Sequence, residues 1–154
     1  MSDHVYDVTL RWKGSTAAGY EGYERSHTVG PAGLEIDSSA DPHFRGDPGL
    51  LNPEQLLVMA ASSCQMLSFL AVAAYAHVDV LEYTDETTGL MPAGVRPTRI
   101  TKVTLRPRIT VAAGTDPALV ARLVEKGHRG CFIANTLNAE MVIDPTIVVL
   151  DGEA

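Results

Sequence analysis

Residues 56–78 contain no Asp, Glu, Lys or Arg. A run that long and that apolar either crosses a bilayer or is enclosed by protein. The sequence favours enclosure. Ser62, Ser63, Cys64, Gln65 and Ser68 stand at its centre, and it has neither basic flanks nor an aromatic belt. Asn52-Pro53-Glu54-Gln55 marks its start as a helix N-terminus. Asn caps, Pro suits the first helical position, Glu complements the positive helix end, and Gln occupies the capping-box position. The expectation is a helix buried on all sides. A chain of 154 residues has little protein with which to surround one, so burial in a homodimer core follows.

The rest of the chain reads as strands and shorter helices in a single domain, 1–154. Alternation predicts a strand over 5–12, with Tyr6, Val8, Leu10 and Trp12 on one face. Further strands are expected over 20–29 and 34–37, then a loop over 38–51 rich in Gly, Pro and Asp. After the long helix come a strand over 80–88, a loop over 89–97, and a long half-exposed strand over 99–112, bent at Pro107. Asp116-Pro117 starts a helix that Gly127 ends. A short helix over 130–138 and a strand over 140–150 complete the order. This is an α+β fold with a mostly antiparallel sheet around a long buried central helix.

Charge narrows the partners. Twelve basic against nineteen acidic residues give a net charge of −7. A basic face for phosphate is missing, so nucleic acid and anionic membrane are not expected partners. The opening MSDHVYDVTL has no basic n-region and no apolar h-region, so a cytoplasmic location is expected. The five histidines are scattered without HxH or HExxH spacing, and no metal or other bound cofactor is expected.

Two cysteines are present, Cys64 and Cys131. A pair of thiols in a reducing compartment reads first as two inert core residues. Their neighbours differ, however. Cys64 lies three turns into the apolar helix, where burial alone raises a thiol pKa. Cys131 follows Gly127-His128-Arg129-Gly130 and opens a helix, so a cation and a helix end favour its thiolate. Local sequence therefore ranks Cys131 above Cys64 as a nucleophile.

Two segments resemble the OsmC/Ohr family of thiol-dependent peroxidases. Asn52-Pro53-Glu54-Gln55-Leu56 through Ala60 to Cys64 is similar to the family's Asn-Pro-Glu-Glu/Gln-Leu…Ala-x-x-x-Cys motif, with the spacing from Glu54 to Cys64 kept. The segment 126–140, with Gly130-Cys131-Phe132-Ile133-Ala134 and Ala139-Glu140, resembles Ala-x-x-Gly-Cys-Pro-x-Ser…Leu…Ala-Glu. Phe132 stands where the family has Pro, and Ala134 where it has Ser. The resemblance covers nearly the whole chain and lies nearer the OsmC branch. It implies an intertwined homodimer with active sites at the subunit interface.

It also implies roles, and these reverse the local ranking of the thiols. Cys64 is the peroxidatic cysteine and Cys131 the resolving one. An external dithiol, of dihydrolipoyl or similar type, is the reductant, and the substrates are organic or fatty-acyl hydroperoxides. A resolving thiol beside a sulfenic acid protects it from over-oxidation. The resemblance further implies an Arg–Glu pair that stabilises the thiolate and the developing alkoxide. Glu54 carries over directly. For the Arg, Arg45 in the loop before Asn52 is the first candidate and His43 its substitute. Arg25 is the corresponding candidate if the Arg comes from an N-terminal turn instead. Ten residues of straight helix span about 15 Å, so Glu54 serves a Cys64 on another subunit rather than its own.

In the peroxidase reading, Met59, Met66, Leu67 and Phe69 flank Cys64 and either line a pocket for an apolar peroxide tail or pack in the core. Two other readings are carried. One is a non-catalytic module of the same fold that holds a small apolar ligand at the dimer interface, motivated by the unsettled position of the Arg. The other is a Cys–His hydrolase using Cys131 and His128, which no oxyanion motif supports.

Overall fold

The computed structural model describes residues 3–152. The chain divides into two compact units, Met1–Leu56 and Leu57–Ala154.

The first unit is built on a three-stranded antiparallel sheet of β1 (Thr9–Arg11), β2 (His27–Gly30) and β3 (Ile36–Ser38), in that order. β1 is shorter than the expected strand over 5–12. The strand expected over 20–29 begins instead as helix. A 3-10 turn at Thr16–Ala18, capped by the Ser15 hydroxyl, runs into α1 (Gly19–Gly22). Arg25 explains the difference. Its guanidinium donates to the carbonyls of Tyr20 and Tyr23 and stacks on both rings, 4.9 and 3.9 Å from their centroids. Two tyrosines three residues apart meet on one side of a helical turn, and this contact overrides their β propensity. In the loop before Asn52, a Cβ on Gly46 would lie 1.5 Å from the Ala40 carbonyl oxygen, so only glycine fits there. Among its described residues no apolar side chain is fully buried; the buried ones are Arg25, Ser38, Ser39 and Asn52.

The long helix is α2 (Pro53–Tyr75). Its N-terminus is the expected capping box: Asn52 Oδ1 accepts from Gln55 N at 2.9 Å and Gln55 Oε1 from Asn52 N at 3.0 Å. Within this one chain, burial covers one face. Only Ala61, Gln65, Phe69 and Ala73 are buried, a single stripe at four-residue spacing. Met59, Leu67 and Tyr75 are exposed. Within one chain the helix thus buries a single face; burial on every side was expected of a homodimer core, not of one chain.

The residues covering that face belong to the second unit. Phe69 and Ala73 pack with Ile109, Val111, Val120, Leu123 and Val124, and Ala61 with Val103 and Leu105. Two three-stranded sheets supply the strands. β4 (Val80–Asp85), β7 (Pro107–Val111) and β9 (Thr146–Val149) form one, in the order β4-β7-β9. β5 (Thr88–Leu90), β6 (Lys102–Leu105) and β8 (Glu140–Ile143) form the other, in the order β5-β6-β8. Each long strand read from sequence is therefore two strands in two sheets. The first breaks at Arg106 and the second at Asp144-Pro145, and the halves stay paired in parallel, β6 with β8 and β7 with β9. The remaining four strand pairings are antiparallel. Pro107 lacks the N–H that would continue a ladder. The Arg106 N–H instead donates to Asp85 Oδ1 at 2.8 Å, and Asp85 Oδ2 accepts from Ser62 and Thr87, each at 2.6 Å.

Helix α3 (Pro117–Arg129) starts at an Asp116 cap, as expected. Gly127 does not end it. The helix continues to Arg129, Gly130 follows as its cap, and Gly127 is buried against α2. Helix α4 (Phe132–Thr136) is shorter than the span expected over 130–138.

Candidate functional site

Cys64 and Cys131 meet in the second unit. Cys64 lies mid-helix on α2, half-buried, and Cys131 is fully buried as the N-cap of α4. The Cys131 Sγ accepts from Ala134 N at 3.5 Å, which satisfies one orphan donor of the short helix. The next N–H of that turn goes elsewhere: Ile133 N donates to Cys64 Sγ at 3.5 Å. One turn of chain thus presents hydrogen-bond donors to both sulfurs.

These contacts split the two thiols. Partial burial pushes the Cys64 thiol up. The Ile133 N–H, the Cys131 S–H, the Phe132 N–H and the Ser68 hydroxyl act the other way, and the net direction is down. Burial pushes the Cys131 thiol up. The Ala134 N–H opposes this, but the Cys64 sulfur reinforces it, and the net direction is up. Of the two thiols, Cys64 is therefore the more readily ionised. This overturns the ranking drawn from local sequence. Arg129 is exposed, and the acidifying contacts gather on Cys64 instead.

The Cys–His arrangement does not form through side chains. Cys131 N donates to the His128 carbonyl at 3.0 Å, while His128 Nδ1 is buried without a hydrogen-bond partner. Gln65, next to Cys64, faces another way; its Nε2 donates to the Val124 carbonyl at 3.4 Å.

The charged candidates lie in the first unit. Arg45 ends the 3-10 turn Pro42–Phe44 in a left-handed conformation, φ 67, and pairs with Glu21. His43 Nδ1 is 2.8 Å from Asp41 Oδ1, with its side chain almost fully exposed. Arg25 is committed to the tyrosine carbonyls and rings described above. Glu54 is half-buried in the first turn of α2 and makes no ion pair among the described residues. No group of three or more His, Cys, Asp or Glu among the described residues is placed to hold a metal ion.

Sequence reasoning missed the donors around Cys64. Ser68 had a usable signal, since it is four residues on and so one turn away on the same helix. The Phe132 and Ile133 N–H groups had none, because backbone donors carry no residue code. Gly127 read as a stop signal where it is a packing contact.

The sequence of the OsmC-like protein family matches residues 46–146. An OsmC-like protein of unknown function from Vibrio cholerae has a solved structure that superposes with a TM-score of 0.82 at 31% identity, covering 95% of this chain and all of that one. An uncharacterised protein of Bacillus subtilis, YmaD, is 24% identical over 161 residues, covering 99% of this chain and all of its own. An organic hydroperoxide resistance protein from Elizabethkingia anophelis shares the fold, with a TM-score of 0.65 at 18% identity over 97% of this chain and all of that one.

Proposed function

The chain belongs to the OsmC-like protein family, and from that premise we propose that it is a cysteine peroxidase for organic hydroperoxides. The observation that carries this reading is the polarised thiol pair, Cys64 drawn toward thiolate and Cys131 kept protonated. The Cys64 thiolate attacks the terminal peroxide oxygen. The O–O bond breaks, the alkoxide leaves and takes up a proton to become the alcohol, and Cys64 becomes a sulfenic acid. Cys131 attacks that sulfur, water leaves, and a Cys64–Cys131 disulfide forms. An external dithiol supplies the two electrons that restore both thiols. The name of the Elizabethkingia anophelis relative, organic hydroperoxide resistance protein, is consistent with this substrate class.

The working unit in this reading is a homodimer. Support comes from the exposed Met59 and Leu67 on α2 and from the first unit, which exposes Val8 and Leu10 and among its described residues buries no apolar side chain fully. Glu54 and Arg45, with His43 as the substitute for Arg45, then serve the thiol pair from across the subunit interface. The left-handed Arg45 fits such a role, since strained backbone gathers at functional sites. We place the protein in the cytoplasm, where dithiol reductants are maintained.

A second reading has one observation in its favour. A cavity of about 460 Å³ in the second unit is lined by Val58, Met59, Met66 and Tyr83 beside Ser62 and Asp85, and would suit a small amphipathic ligand.

Single-turnover oxidation of the reduced protein by tert-butyl hydroperoxide and by hydrogen peroxide separates the two. The peroxidase reading expects rapid loss of both thiols, faster with the organic peroxide, and no turnover in Cys64→Ser. Loss no faster than that of a free thiol would overturn it and favour the binding module.

A further inference from the structure

The helix that carries Cys64 and the helix that precedes Cys131 meet backbone to backbone at a glycine. A Cβ built on Gly127 would lie 2.8 Å from Phe69 Cα, 2.9 Å from Phe69 N and 3.2 Å from the Ser68 carbonyl carbon. All three neighbours are backbone atoms, so no rotamer change makes room. Gly130 differs. Its Cβ would meet the Gly127 carbonyl oxygen at 3.6 Å, an ordinary contact, and its φ of −93 suits any residue.

The register of the Gly127 contact matters. On α3, Gly127 lies four residues before Cys131, one helical turn. On α2, it touches the turn that begins four residues after Cys64. Ser68, which Gly127 touches, and Cys131, which follows it, are the two side chains that act to lower the Cys64 thiol. The Ile133 N–H follows two residues after Cys131 and reaches the same sulfur at 3.5 Å. Every donor from the α3–α4 side is thus carried toward Cys64 by a helix whose approach is limited at Gly127.

We propose that Gly127 is the positioning residue of the thiol pair: by letting the α3 backbone rest on α2 at Ser68 and Phe69, it sets the distance between Cys64 and Cys131. The spacing of the thiols follows from this contact; the use of the pair against peroxides rests on the proposed function above. Adding one methyl moves α3 away from α2 and takes the Cys131 S–H and the Ile133 N–H off the Cys64 sulfur. The Cys64 thiolate then loses at least one charge-assisted hydrogen bond, about 1.5 kcal/mol, and the thiol ionises about ten-fold less readily.

The test uses Gly127→Ala beside Gly130→Ala and Val120→Ala in the full chain. Val120 is a fully buried core residue on the same helix, so its truncation loosens the core without adding bulk at the contact. The readouts are the pH profile of iodoacetamide alkylation at Cys64 and the binding of phenylarsine oxide, which chelates two thiols held close together. Both are run at low temperature with a stabilising osmolyte, so that weakened variants stay folded. The expected result is about ten-fold slower alkylation at pH 7, an alkaline-shifted profile and lost arsenical chelation in Gly127→Ala, with both controls close to wild type. Equal slowing in Val120→Ala would reduce the effect to loosened packing and overturn the proposal. So would an unchanged profile in Gly127→Ala. A Gly127→Ala chain that does not fold would also overturn it, by making the glycine a determinant of the whole fold. Neither readout involves peroxide, so a wild type inert to peroxides would end the peroxidase reading and leave this test intact.

Discussion

Replacing Cys131 by Ala and by Ser separates what its side chain does for the fold from what it does for Cys64. In Cys131→Ala three things are lost. The Sγ cap on Ala134 N disappears; at 3.5 Å it is a long bond to a weak acceptor, so its loss costs about 0.5 kcal/mol, the low end for caps. A fully buried sulfur leaves a void at a cost of about 1 kcal/mol, near that of one methylene. Together these give about 1.5 kcal/mol, or roughly 3–6 °C in melting temperature for a chain of this size. Third, Cys64 loses a neighbour that lowers its thiol, so it ionises less readily and alkylates more slowly at pH 7. Cys131→Ser restores an acceptor for Ala134 N and an O–H donor for Cys64. Both its stability and its Cys64 alkylation rate stay near wild type, although neither variant can form a disulfide. Urea melts at one fixed protein concentration give the first quantity, and iodoacetamide kinetics at pH 7 the second. If Ser and Ala alkylate at the same rate, the Cys131 donor plays no part in activating Cys64 and the reasoning fails.

The pH dependence of stability has opposite signs at the two thiols. Cys64 is lowered on folding, so its ionised form stabilises the fold above the unfolded thiol value of about 8.5, and that contribution is lost as pH falls through the folded value. Cys131 is raised, so its neutral form stabilises fully below about 8.5 and is lost as pH rises through its folded value. Urea midpoints across alkaline pH should therefore fall less in Cys131→Ser than in wild type; an equal fall would remove Cys131 from the account. Asp85→Ala strands the Arg106 N–H at the strand break and frees the Ser62 and Thr87 hydroxyls. The expected loss is about 3 kcal/mol, and a urea midpoint within experimental error of wild type would mean that the carboxylate does not hold the break. Gln65→Leu removes a fully buried amide whose Oε1 has no partner and whose Nε2 bond is long. It should cost less than about 1 kcal/mol or stabilise, and a loss of several kcal/mol in the same melts would reveal an amide better satisfied than its geometry indicates.

How much of this was legible in the sequence depends on what each residue needed. The start of α2 was legible because Asn52 and Gln55 form a reciprocal cap using only local chain. Asp116-Pro117 was legible for the same reason. The strands over 99–112 and 140–150 were found, but not their division into two sheets. That break depends on Asp85, twenty-one residues from the N–H it accepts, and no local pattern reports it. The helical turn at Gly19–Gly22 was missed because Arg25 stabilises it from outside its own span. At the site, the identities of Cys64 and Cys131 were plain, but their relative acidity was misread from neighbours. Sequence places Arg129 next to Cys131, whereas the fold leaves Arg129 at the surface and brings Ile133, Phe132 and Ser68 to Cys64.

Gly127 and the charge-free run of α2 then bear on one problem. A helix without charge over 56–78 needs walls, and this chain supplies one along Ala61, Gln65, Phe69 and Ala73. The stripe pairs two alanines with Gln65 and Phe69, and an opposing helix comes close beside Phe69. Gly127 carries that approach to backbone contact beside Phe69. A larger residue on either side would still bury apolar area, since burial tolerates a gap of an ångström better than thiol geometry does. Hydrogen bonds to sulfur at 3.5 Å are already long, and another ångström would end them. The closeness at Gly127 is therefore better explained by the two sulfurs than by the core.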